Sequence, residues 1–118
     1  MSKEKPQEAY LRYLKLLSAF EGHSKGVSLD IGEQQLLNAI AIKVKAGEQI
    51  MIGDITAMRE LASPATLHSR LKSLRAKKML RFVLGEDDRR KFVEPSPLAY
   101  QYFDKIGQLI LKANLPKK

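Results

Sequence analysis

"SPATLHSRLKSLRAKKMLR", residues 63–81, contains six Lys or Arg residues and no carboxylate, although Asp and Glu occur through the rest of the chain. Ser63 followed by Pro64 is a strong helix start, because Ser accepts hydrogen bonds from free N–H groups and Pro is pre-set for the first helical position. We therefore predict a helix that begins at Pro64 and has to face something anionic.

This predicted helix has one apolar side and one polar side. Leu67, Leu71 and Leu74 recur at helical spacing and form the side expected to face the core. The opposite side is small, polar and basic, which permits close approach of a partner. Its members are Ala65, Ser69, Lys72 and Ala76, flanked by Thr66, His68 and Ser73.

The segments on either side complete a pattern. "IMI" at 50–52 suits a brief strand, and Asp54 can cap a short helix over 55–61 that ends just before Ser63. Two short helices joined by a tight turn form a helix-turn-helix, whose second helix enters the major groove of DNA. After it, "RFVL" and "KFVEP" predict a β-hairpin whose turn, "GEDDRR", carries two arginines.

Broad apolar stripes mark the remaining helices. The first helix, over 6–21, is broken by the glycines of "EGHSKG". A second is capped by Asp30 or Ser28 and stops at Gly47. The last helix begins at Ser96 and Pro97. The first and last carry more apolar surface than one small domain covers, which favours a homodimer. We expect that interface to use Tyr10, Tyr13, Leu14, Leu17, Phe20, Tyr102, Phe103, Ile106, Leu109 and Ile110.

Composition limits the class of protein. With 118 residues, 44% of them hydrophobic and 29% charged, the chain is expected to form a single domain over 1–118, with a core at 28–95 and dimerisation helices at 6–21 and 96–113. The net charge is +8, and residues 59–91 carry ten basic against four acidic side chains. This excess favours a polyanionic partner, nucleic acid first and an acidic membrane surface second.

Cysteine is absent from the sequence, which excludes disulfides and thiolate chemistry and fits a reducing cytoplasm. No segment approaches the roughly 20 apolar residues of a membrane span, so we expect no membrane partner. No catalytic triad arrangement, phosphate loop or metal-ligand spacing occurs, and His23 and His68 stand far apart, so neither an enzyme, nor a metal site, nor a bound cofactor is expected.

The order strand, helix, helix, two-stranded wing is that of a winged helix. Over about Leu29–Gly107 the sequence resembles the MarR family of bacterial regulators, through "SPATLHSRLKSLRAKKML", the wing signature "DDRR" and the last helix "SPLAYQYFDKI". The pattern departs at Lys78, where that family usually has Gly. The resemblance implies a mainly α-helical homodimer that binds pseudo-palindromic duplex DNA, with Arg90 probing the minor groove while Asp88 braces it.

We therefore expect a transcriptional regulator that binds double-stranded DNA and acts by occupying a promoter. Thr66, His68 and Ser69 are expected to read base edges, and phosphate contacts supply affinity without sequence information. The wider contact set also contains Ser63, Ala65, Lys72, Ser73 and Arg89, with Arg70, Arg75, Lys77 and Arg81 on phosphates.

Other interpretations remain open from sequence alone. A DNA-binding protein of replication, partition or nucleoid architecture would share every one of these contacts, and a winged helix can also serve as a protein-interaction module. The basic side of the helix can be a solvated face, and the wing arginines can pair with the neighbouring Glu86, Asp87 and Asp88. A small-molecule effector is possible but nothing in the sequence indicates one.

Overall fold

The computed structural model describes residues 4–23, 28–87 and 89–114. Within them the elements follow in the order α1 (Pro6–His23), α2 (Ile31–Lys45), α3 (Ile52–Thr56), α4 (Pro64–Ala76), β1 (Leu80–Leu84), β2 (Lys91–Pro95) and α5 (Pro97–Ala113). The chain divides into two compact units. One is Leu29–Tyr100, and the other comprises α1 with α5 from Gln101 onward.

The unit Leu29–Tyr100 has the helix-turn-helix and wing that the sequence predicts. α2 packs on α4 and β2, and α3 packs on α4. β1 and β2 pair antiparallel with Leu80 opposite Pro95 and Leu84 opposite Lys91. Apolar side chains without solvent contact fill the core between these elements, among them Leu36, Leu37, Ile40, Ile55, Leu67, Leu74 and Met79.

The starts of α2, α4 and α5 follow the predicted capping chemistry. Asp30, one of the two proposed caps, accepts the N–H of Glu33 at 2.7 Å, and the Glu33 carboxylate accepts the N–H of Asp30 at 2.9 Å. This reciprocal pair is a capping box. Ser63 caps α4, and Ser96 Oγ accepts the N–H of Ala99 at the start of α5.

The region before α4 differs from the prediction. The short helix covers Ile52–Thr56 rather than 55–61, and the predicted strand at 50–52 is reduced to one bridge between Ile50 and Val93. Asp54 is the third residue of the helix and accepts the N–H of Met51 at 2.9 Å, so the helix begins earlier than a cap at Asp54 implies. The segment that follows α3 forms short turns, with the Met58 N–H donating to Ile55 O and the Leu61 N–H to Met58 O.

Lys78 ends α4 in the left-handed region, with φ of 63°. Its N–H donates to Arg75 O, and the N–H of Met79 donates to Leu74 O, the two bonds of a Schellman motif. Leu74 and Met79 are both fully buried, which supplies the apolar contact that accompanies this motif. A lysine therefore takes the conformation for which glycine is favoured.

The second unit contains two amphipathic helices. α1 extends to His23, so Gly22 lies inside the helix rather than breaking it, and Gly26 lies outside the described residues. Arg12 of α1 donates to the carbonyl of Ala113 near the end of α5, at 2.7 Å from Nε, and pairs with Glu4. Among the described helices none is long and apolar enough to span a membrane.

Candidate nucleic-acid interface

α4 has one buried and one exposed side, as its sequence pattern predicts. Leu67 and Leu74 have no exposed surface and Leu71 retains 4%. The exposed side presents seven of the predicted contact residues. They are Ser63, Ala65, Thr66, His68, Ser69, Lys72 and Arg75. Small and polar side chains at the N-terminal half leave the helix backbone accessible to a partner.

At the first turn of α4, two of the predicted DNA-contacting residues bond to each other. Ser63 Oγ accepts the N–H of Thr66 at 3.3 Å and donates to Thr66 Oγ1 at 3.0 Å. The Thr66 hydroxyl keeps its own hydrogen for a further acceptor, because a hydroxyl donates one bond and accepts two. Ser63 therefore both caps the helix and orients Thr66.

The C-terminal half of α4 is tied to α2 through Glu33. This side chain is 2% exposed, yet its carboxylate is fully engaged: Ser73 Oγ donates to Oε2, and Lys77 Nζ lies 2.7 Å from Oε1. Burial by itself raises the pKa of Glu33, but the hydrogen bonds from Lys77, Ser73 and the Asp30 N–H outweigh it and lower the pKa below its ordinary value. We call Glu33, Ser73 and Lys77 the α2–α4 clamp.

Three other predicted phosphate-binding residues also have partners inside the protein. The Arg75 guanidinium lies over the Phe82 ring at 4.3 Å from its centroid, which links α4 to the wing. Arg81 donates from Nε to Glu94 at 2.6 Å, directly across the hairpin. The Arg70 guanidinium covers Gly32 of α2 so closely that an added β-carbon there would overlap it.

The wing tip presents the predicted arginines to solvent. The Gly85 N–H donates to Arg90 O at 2.8 Å and closes the hairpin, and a β-carbon at Gly85 would come within 2.8 Å of the Phe92 ring. Arg89 and Arg90 are exposed, and the Arg89 N–H donates to Asp87 Oδ1 at 3.1 Å. The bracing role that the resemblance implies for Asp88 falls outside the described residues.

Two residues of the site, Glu33 and Glu94, were not predicted from the sequence. A signal for Glu33 was present: it stands three residues after Asp30, the spacing of a capping box, and it shares the helix face of Leu36, Leu37 and Ile40. A carboxylate on a buried face needs a cationic or donor partner, which indicates an internal role for some basic residue of the chain. Glu94 can be identified as a member of the site only once the strand register is known.

In the described part of the chain, no group of three or more His, Asp or Glu side chains is placed to hold a metal ion. His68 is exposed on α4, and the side chain of His23 lies outside the described residues.

Comparison with known proteins relates the fold to a solved structure. No family model matches the chain, and no curated protein is significantly similar to it in sequence. A crystal structure of a MarR-like transcriptional regulator from Thermotoga maritima is similar over 94% of this chain and 81% of its own, with 13% identity and a TM-score of 0.54. At this identity the likeness establishes the fold, and the predicted winged helix is confirmed.

Proposed function

We propose that this protein is a transcriptional regulator that binds duplex DNA as a homodimer. The observation that carries the proposal is the exposed side of α4, small and polar near its N-terminus and basic further along, beside a hairpin tipped with Arg89 and Arg90. A helix of this shape fits the major groove, and an arginine-tipped wing fits the adjacent backbone or minor groove.

The proposed contacts fall into two groups, those that read base edges and those that bind phosphates. Thr66, His68, Ser69 and Lys72 offer donors and acceptors on the side of α4 that would face base edges, while Ala65 allows close approach. Arg75 and Arg81 remain exposed although each has an internal partner, and they can also meet phosphates; Arg70 is half-buried. The internal partners pre-order these guanidinium groups, so less side-chain entropy is lost on binding.

The proposed homodimer is supported by the terminal helices. Leu14, Ile110 and Leu111 keep 38%, 46% and 68% of their surface exposed, and Tyr10 keeps 60%. Exposed apolar side chains in rows on two helices mark an association surface. Two-fold symmetry would present two copies of α4, one to each half-site of a pseudo-palindrome.

A salt titration of binding to a random-sequence duplex tests DNA binding directly. We expect the logarithm of the association constant to fall linearly with the logarithm of salt concentration. Arg75→Ala should lower that slope by about 0.9 for each phosphate interaction that the substitution removes, whereas Lys45→Ala, which removes the same charge at the far end of α2, should leave it unchanged. Affinity independent of salt, or equal slopes for both variants, would contradict the proposal.

A further inference from the structure

The α2–α4 clamp is unusual because it uses residues from the most basic segment of the chain for an internal contact. Glu33 is one of two buried polar or charged side chains among the described residues, and it contacts Ser73 and Lys77, which follow it by 40 and 44 positions. A carboxylate removed from water needs such partners, because an unpaired buried charge costs several kcal/mol.

From this geometry we infer that Glu33 is a positioning residue for the recognition helix, and that Ser73 and Lys77 serve DNA binding through it rather than by touching DNA. The inference rests on the function proposed above. Lys77 Nζ sits 2.7 Å from Glu33 Oε1, and the Ser73 hydroxyl gives its single hydrogen to Oε2. The clamp fixes the end of α4 opposite to the Ser63 cap.

The clamp restricts the orientation of α4 more than apolar packing alone does. Leu67, Leu71 and Leu74 hold α4 against the core, but apolar contacts are non-directional and permit small rotations about the helix axis. Two hydrogen bonds to one carboxylate, itself tied to the α2 cap through the Asp30 N–H at 2.9 Å, define that rotation. The rotation decides which edges Ser69 and Lys72 present, so the clamp should affect discrimination between sequences more than overall attraction to DNA.

Two variants of the full-length protein separate this role from direct contact. Lys77→Gln should reduce the preference for a selected duplex over a random-sequence duplex about tenfold, the effect of a 1.4 kcal/mol difference. Its salt slope on the random duplex should stay unchanged. Lys77→Arg, which can restore the ion pair, should recover the preference.

Glu33→Gln should show the same loss, and the double variant Glu33→Gln/Lys77→Gln should be no worse than either single variant, because both changes open one contact. Glu48→Gln is the matched control, since it removes an equal charge and releases Lys43 from an exposed pair at 4.0 Å. Additive losses in the double variant overturn the inference, as does a fall in slope of about 0.9 per subunit for Lys77→Gln.

Amide hydrogen exchange without DNA keeps this test independent of the proposed function. In Glu33→Gln and Lys77→Gln, amides in the C-terminal half of α4 should exchange faster, while Glu48→Gln leaves them unchanged. Unchanged exchange in both clamp variants overturns the inference whether or not the protein binds DNA. If exchange changes but the unmutated protein binds no duplex, the proposed function fails and the clamp holds α4 for a different partner.

Discussion

Lys78 occupies the left-handed region at the end of α4, where a β-carbon is unfavourable by about 1 kcal/mol. Lys78→Gly should therefore stabilise the protein by roughly that amount, because the motif at this position uses only backbone groups of residue 78. Chemical unfolding measures the change. Lys72→Gly is the control: the same substitution at a helical position should destabilise by about 1 kcal/mol. Equal effects of the two substitutions would mean that Lys78 is not strained.

Glu33 makes the free energy of unfolding depend on pH in the acidic range. Its pKa is lower in the folded protein than its ordinary value, so its contribution is complete above that ordinary value and is lost as pH falls through the folded pKa. Unfolding measured from neutral to acidic pH should show Glu33→Gln less stable by about 1.5 to 3 kcal/mol at neutral pH, the range for a hydrogen bond to a charged group. The difference should shrink in acid, and a constant difference would contradict the assigned contacts.

At the scale of elements, the start and the buried side of α4 were predictable because local chemistry sets them. Ser63 and Pro64 define its start, and Leu67, Leu71 and Leu74 define its buried side. The bounds of α3 were not, because Asp54 can serve either as a cap or as the third residue of a helix, and the structure has the second arrangement. The partners of Lys77, Arg75 and Arg81 come from other elements, so no local pattern could identify them.

The wing should make the affinity for DNA depend on the shape of the minor groove. A narrow A·T-rich minor groove concentrates negative potential and attracts an inserted guanidinium. Arg90→Ala should lower affinity and remove a preference for A·T pairs beside the half-sites, whereas Arg89→Ala should lose less of both. Fluorescence anisotropy on duplexes that differ only in these flanks measures both the affinity and the flank preference. Equal affinity of the unmutated protein for all flanks would contradict a minor-groove role.

For the molecule as a whole, the apolar rows of α1 and α5 are expected to meet a second copy. Ile110→Asp places a charge in such a row and should dissociate the dimer, because burying an unpaired carboxylate is costly. Gln108→Asp adds the same charge at another exposed position of α5 and should leave assembly intact. Sedimentation at micromolar concentration distinguishes them, and a monomeric unmutated protein would contradict the dimer.

Selection of bound duplexes from a random pool tests the central claim most directly, since it examines DNA binding, sequence reading by α4 and two-fold symmetry together. We predict enrichment of two inverted half-sites whose centres lie about one helical turn apart. Ser69 replaced by a bulkier residue should change the bases enriched within each half-site while leaving their spacing unchanged. A pool that shows no enrichment, or a single asymmetric motif, would contradict the account.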